Sequence, residues 1–456
     1  METVIIRKCE SYDDLEKLET ILKDGMQELD FKPKGNTMIK INEVAAFPKQ
    51  KIFKYASTPP EFLDATLNVI ESKEIEKDDM KRLYLGGNCG ITIPTRFSLK
   101  CGGQWKILKK HKIKTYCFDE RKEVNVKLKK GVVHKELRIP KILQNTDTII
   151  SLPRFKANPF TTITASIKMN VGMLDDKERM KHHNYNLDEK IVDILEVAVP
   201  SFIAVDAIVA GEKNMLEPKP YPIGAVIMGT NPVAVDSLIC NMIGINPMDV
   251  KHIKIAYERG YGPVNLNEIT LSGDMQLGEL KERAKDFKTD TDKIDKFKSR
   301  IKFYVGPSEK KGYCFGGCPG ALKEAFNIIK ALQPGLPEEI KPMHVVFGDY
   351  KGDIATKENE PILLLGSCTK LEGKINDKNV LLNTNMKQHQ IKKLSNYKRI
   401  MKVNKCPLSV AENILLLSYF GKTKNPYLDK DVVMPFGYNF VVSKLSRFFH
   451  RHIYER

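Results

Sequence analysis

At 456 residues and 42% hydrophobic content, the chain can bury more than one core, since single cores stop growing at roughly 250 to 300 residues. Its apolar stretches, such as 197–211 with Pro200 and Asp206 inside, fall short of the roughly 20 residues a membrane helix needs, which excludes a spanning segment. A formal charge of +17 raises the question of nucleic acid, but the lysines are spread along the chain without a recognisable motif, so a solvated basic surface is expected instead.

Residues 1–10 pass directly into the strand-like Thr3-Val4-Ile5-Ile6-Arg7, and no secretory signal is expected. Nine cysteines are too sparse and uneven for a disulfide scaffold, which predicts a reducing, cytoplasmic setting. Leu15, Leu18, Leu22, Met26 and Leu29 recur at helical spacing before a strand at 37–41. The alternation continues with a helix over 60–71 and a strand at 82–85, then a helix near 100–110 and a strand at 114–118. Buried strands follow at 147–152, 202–205 and 225–228. This order predicts an α/β fold with a largely parallel sheet in the N-terminal domain. Residues 276–300, rich in Lys, Asp and Glu, read as a solvated helix or linker. Beyond them a helix over 320–332, strands at 343–347, 361–365 and 399–403 and a helix over 408–420 make a second, smaller α/β domain that carries cysteines. The expected division is 1–275, 276–300, 301–435 and a basic amphipathic tail, 436–456.

Between Pro153 and His183 stand Arg154, Lys156, Asn158, Thr161, Thr162, Thr164, Lys168, Asn170, His182 and His183, with no acidic residue before Asp175. Cations, hydroxyls and amides at a strand end suit a carboxylate or phosphate, because open α/β sheets take ligands there. The plainer alternative is a set of solvated strand-end charges. Adjacent histidines point in different directions, which disfavours His182-His183 as a metal pair. Asp206 and Asp236 each follow an apolar run and are candidates for acid, base or cation ligand, with a structural lysine partner as the other reading of Asp236. Gly86-Gly87-Asn88-Cys89-Gly90 has the flexibility of a ligand loop but not the spacing of a dinucleotide fingerprint or a P-loop.

Taken in order, these segments resemble the domain-of-unknown-function family 362 over most of residues 1–263. Lys40-Ile41-Asn42 resembles the family's opening Lys-Pro-Asn. Leu152-Pro153-Arg154-Phe155-Lys156-Ala157-Asn158, then Lys168, Asn170 and Gly172 and then His182 or His183, resemble its central signature. Val205-Asp206-Ala207-Ile208 and Asn231-Pro232-Val233-Ala234-Val235-Asp236 resemble its Val-Asp-x-Ile and Asp-Pro-x-Ala-x-Asp. Asn158 stands where the family has His and Ile41 where it has Pro, so no titratable group is available at position 158. The resemblance implies a cytoplasmic α/β protein associated with iron–sulfur domains and no established reaction. With it, Lys40, Asn42, Arg154, Lys156, Lys168 and Asn170 become the candidate substrate-binding set, and Asp206, Asp236 and His183 the candidate catalytic set.

The C-terminal domain holds Cys314, Cys318, Cys368 and Cys406. Cys318 and Cys406 each precede a proline and a predicted helix, where free N–H groups stabilise thiolate. All four fall in turns of a small α/β layer and can converge. Four thiolates are the ligand set of a [4Fe-4S] cluster or of structural zinc, and thiols that bind no metal are the third reading. Gly366-Ser367-Cys368-Thr369 and Cys406-Pro407 also resemble the cysteine-bearing tail of some family-362 relatives. The tail joins Phe440, Val441, Leu445, Phe448, Phe449 and Ile453 with Lys444, Arg447, Arg451 and Arg456, a pattern that suits docking on the protein's own body or a partner subunit, or a membrane surface.

The expectation is an iron–sulfur oxidoreductase or electron-transfer protein acting on a small anionic substrate, with an electron-donor protein as partner; the sequence leaves room for a homo-oligomer. The alternative is a non-redox ligand-binding or group-transfer protein whose cysteine domain holds structural zinc or no metal.

Overall fold

Each strand of the large sheet is a run of aliphatic residues closed by turn residues, and neighbouring positions bury on opposite faces. In the computed structural model, which describes all residues except 49–52, 77–78, 290–291, 310–311, 358 and 455–456, Met38, Tyr84 and Ile149 point to one core with Phe118, Leu137 and Ile194. Their neighbours Ile39, Leu85 and Ile150 point to the other, with Leu18, Leu22, Phe62 and Phe202. Burial on both faces explains why these strands read as continuous apolar runs.

The chain divides into two compact units. One comprises Met1–Lys181, Asp188–Asp290 and Lys430–Arg456; the other comprises His182–Leu187 and Thr291–Asp429. The break falls inside the charged 276–300 stretch, and two segments cross it: six residues of the N-terminal half join the C-terminal unit, and the tail returns to the first.

The first unit is built on a sheet in the order Ile269–Gly273, Glu2–Lys8, Lys219–Gly229, Phe202–Glu212, Thr148–Leu152, Gly35–Ile41, Met80–Gly87 and Lys114–Cys117. Neighbours run parallel except around Lys219–Gly229, which is antiparallel to both its flanks. Beyond Thr148–Leu152 the chain continues as Arg154–Asn158, parallel to Phe202–Glu212 and antiparallel to Thr162–Thr164. The Phe202–Glu212 and Lys219–Gly229 strands are each longer than their apolar cores at 202–205 and 225–228 predict, because pairing with each other carries them through the more mixed residues.

The helix expected near 100–110 is two, Thr95–Gly102 and Gln104–Lys110, broken at Gly103, whose φ of 92° is the left-handed cap that glycine tolerates. In the charged stretch Leu277–Ala284 is a docked helix rather than a linker: Leu280 and Ala284 are fully buried, and the following Phe287 stacks on Phe155 at 4.8 Å.

The second unit has a four-stranded parallel sheet, Ile301–Val305, Met343–Phe347, Ile362–Leu365 and Ile400–Val403. A smaller sheet of Asp349–Lys351, Lys370–Ile375 and Lys378–Asn383 accompanies it. The helices Cys318–Leu332 and Val410–Gly421 pack on each other. The second helix starts two residues later than its apolar pattern predicts, because Ser409 and Glu412 form a reciprocal capping box. Cys406 therefore lies in the turn before the helix, not at its first position.

Candidate functional site

The strand ends of the first unit gather buried cations. Lys40, the penultimate residue of its strand, is 2% exposed, and its Nζ donates to the Ile41 carbonyl at 2.6 Å. Gly87 and Gly172 make room for it: a Cβ at either would lie 3.4 or 3.1 Å from Nζ. Burial pushes the Lys40 pKa down to about 7, and the nearby Arg179 cation adds to the effect against Glu43. Glu43 is the counterpart: burial pushes it up to about 7, opposed by the Ser98 hydroxyl, which donates to Oε1, and by Lys40 and Lys156. Among the described residues Glu43 Oε2 is buried without a hydrogen-bond partner. Two groups that titrate near neutrality at a strand end can hold and exchange a proton there. Glu43 escaped the sequence reading; its signal was an acid next to Asn42, just past a buried strand.

A lysine with a folded pKa near 7, against about 10.4 in the unfolded chain, is neutral when folded and charged when unfolded across that window. The unfolded state then binds more protons, and stability rises as the pH climbs from 7. Thermal unfolding from pH 7 to 9 should therefore show a gain on the order of 2 kcal/mol from this group. Lys40→Met should flatten that rise; an unchanged profile would remove Lys40 as its source.

The other expected ligand-binding residues are largely committed to the protein's own frame. Arg154 has five N–H donors, and its guanidinium makes five hydrogen bonds: two to Val209 O, and one each to Ser57 O, Lys54 O and the Tyr12 hydroxyl. It also lies 3.7 Å from Asp206. Lys156 Nζ donates to Ala56 O at 2.6 Å and Asn170 Nδ2 to Ala198 O at 2.7 Å, while Asn42 Oδ1 accepts from Arg154 N at 2.8 Å. Asn158 Oδ1 accepts from Phe160 N and Thr161 N, so it shapes a turn. Lys168 is half-buried, with Nζ 4.0 Å from Met215 Sδ.

Among the candidate catalytic residues, Asp206 is fully buried and accepts from Tyr12 Oη at 2.8 Å and Ile208 N at 3.1 Å. Asp236 is fully buried and accepts from the Ser166 hydroxyl, Ser166 N at 2.8 Å and Ile167 N at 3.1 Å, which anchors the first turn of Ser166–Met169. Burial pushes both carboxyls up, against Arg154 at Asp206 and Ser166 at Asp236. Cys89 in the glycine loop is buried, donates to Ile93 O at 2.8 Å, and is pushed well up by burial, the state of an inert thiol. His183 belongs to the second unit, apart from the two aspartates in sequence grouping, and its Nδ1 is 2.7 Å from Gly316 O.

That histidine leads into the second cluster. Cys318 is the first residue of its helix, with Gly317 as N-cap, and Leu408 N–H points at its Sγ from 3.4 Å. Gly366, with φ 109°, lets the chain close in: a Cβ there would meet Cys318 Sγ at 3.3 Å and Cys368 Sγ at 3.9 Å. A Cβ at Gly317 would lie 2.7 Å from Cys314 Sγ. The crossing segment His182–Leu187 adds the Asn184 side chain, whose Nδ2 is 3.7 Å from Cys406 Sγ, and the Tyr185 amide, which bonds Cys314 together with that of Gly317. The Gly348 amide bonds Cys368. Backbone or amide N–H groups thus reach all four sulfurs.

Burial above all, with repulsion from Cys406 and Cys368 beside it, pushes Cys314 up to about 12. Burial likewise raises Cys318, which also senses Cys406, Cys368 and Cys314. Four sulfurs that repel each other's negative charge while N–H groups favour it have the donor chemistry of a ligand set for a positive centre. Among the described residues no group of three or more His, Cys, Asp or Glu side chains is drawn together to hold a metal ion. Asn184 and Tyr185 could not be found from sequence, since more than a hundred residues separate them from any of the four cysteines.

No curated protein matches the chain in sequence. Among solved structures it is similar to the lactate racemase apoprotein from Thermoanaerobacterium thermosaccharolyticum, at 10% identity and a TM-score of 0.36 over 75% of this chain and 68% of that one. It is similar also to a protein from Thermotoga maritima, at 10% identity and a TM-score of 0.31 over 73% and 70%. Residues 37–241 match the model of the domain of unknown function DUF362, the stretch that runs from the Lys40 strand through Asp236 and carries the candidate binding and catalytic residues of the first unit.

Proposed function

We propose that the C-terminal unit carries an iron–sulfur cluster, a [4Fe-4S] centre, on Cys314, Cys318, Cys368 and Cys406, and that the chain is an oxidoreductase or electron-transfer protein for a small anionic substrate. The observation that carries the reading is the convergence of Cys318 and Cys368 on Gly366, where a Cβ would meet both sulfurs, together with the N–H groups of Leu408 and Asn184 that point at Cys318 and Cys406. A bound cluster supplies one-electron chemistry that side chains lack. Gly317 and Gly366 leave the space beside the sulfurs open, and the amides on the sulfurs tune the charge they can hold. A reducing, cytoplasmic setting goes with this reading, as does a protein electron donor.

In the first unit, Lys40 and Lys168 are the proposed anion-facing cations, while Lys156 is held by the Ala56 carbonyl. An anion entering beside Lys40 restores the charge that burial suppresses, so binding is coupled to proton uptake on Nζ, with Glu43 as the adjacent proton store. Anaerobic purification followed by iron, zinc and acid-labile sulfide analysis tests the cluster. Iron and sulfide in equal amounts, with visible absorbance bleached by dithionite, is the expected result; stoichiometric zinc without sulfide, or no metal, would reject it.

A further inference from the structure

We propose that the C-terminal helix Lys430–Phe449 is a docking face for an anionic lipid surface. Its orientation is the reverse of an ordinary surface helix. The polar stripe faces the protein: Asn439 accepts from Lys100 Nζ at 2.9 Å, Ser443 donates to Asp119 at 2.9 Å, Arg447 bonds Glu123 at 2.8 Å and Asp175 at 3.2 Å, and Arg451 beyond the helix bonds Glu123 at 2.5 Å. These four recur every fourth residue and lie on one side. On the other side Met434, Tyr438, Val441, Leu445 and Phe448, spaced alternately by four and three, are each more than half exposed. All of these contacts lie within the first unit.

Contiguous exposed apolar surface marks an interaction site. The buried polar stripe also means that the helix cannot hide its apolar face by rolling over, since that would break the ion pairs to Glu123 and Asp175. The occupant is argued from charge. The chain carries +17, so a second copy sets like charge against like. An anionic bilayer offers both opposite charge and a hydrocarbon layer for the five side chains. The face is aromatic-rich, with exposed Lys430 and Lys444, the latter holding Nζ 5.0 Å from the Phe440 ring centre, its stem on apolar surface and its charge at the rim. No helix among the described residues is long and apolar enough to cross a membrane, so the mode is surface binding.

The test is flotation of the full chain with phosphatidylcholine vesicles and with vesicles that also contain phosphatidylglycerol. Partition into the anionic vesicles is expected, weakening with salt, and the double variant Leu445→Glu, Phe448→Glu should partition about tenfold less. Both sites are exposed, so the variant should melt as the parent does; Leu381→Glu, an exposed apolar site on the other unit, should float like the parent. Equal flotation of parent and double variant overturns the proposal, as does equal flotation with both vesicle types. Failure of the parent to float overturns it too, and a parent dimer that becomes monomeric in the double variant would assign the face to a second copy.

Discussion

Serine in place of Cys318 is expected to abolish the proposed [4Fe-4S] cluster, taking iron from about four atoms per chain to below one. This sulfur has the most to lose. It is 7% exposed, opens a helix whose N-terminal dipole favours negative charge, and accepts from Leu408 N–H. A serine hydroxyl is not deprotonated under the same conditions and is a poor ligand for iron. Cys314→Ser and Cys368→Ser should behave similarly, whereas Cys406→Ser, at the exposed corner, should retain a partly occupied, oxygen-sensitive centre. Iron and sulfide measured on anaerobically prepared variants decide the matter: if all four match the parent, the shared site does not exist. Asn184→Ala offers a finer probe, since loss of its N–H toward Cys406 should lower the reduction potential without removing iron.

Asp206→Ala should destabilise the first unit by about 3 to 5 kcal/mol, because it leaves the Arg154 guanidinium without its carboxylate in a fully buried setting. The Tyr12 hydroxyl and Ile208 amide lose their acceptor in the same step. Asp206→Asn keeps an acceptor for Tyr12 and should cost less. Urea unfolding followed by far-ultraviolet circular dichroism reads both variants. A loss under about 1 kcal/mol for the alanine variant would mean that Arg154 is satisfied by Val209 and Ser57 carbonyls alone. The same result bears on function, because a residue that holds the frame cannot be judged catalytic from lost activity until the fold of the variant is known.

The sequence by itself determined the α/β class, the near-parallel sheet and most strand positions. Continuous aliphatic runs closed by polar or glycine residues have few other solutions, and Met343–Phe347, Ile362–Leu365 and Pro60–Glu71 lie where periodicity puts them. It also singled out the four cysteines, since turn positions after apolar strands are local features. Local signals were available, but passed over, at Gly103, where a glycine splits one helical pattern into two, and at Ser409-x-x-Glu412, where a capping box moves a helix start past Cys406. Tertiary structure alone decided the rest. Whether Arg154 faces a ligand or the Val209 carbonyl, whether His183 stands with Asp206 or with Gly316, and which face of Lys430–Phe449 turns inward all depend on partners tens to hundreds of residues away. A polar side chain carries the same chemistry whether it binds a substrate or a buried carbonyl, and only the long-range packing that desolvates it selects between the two.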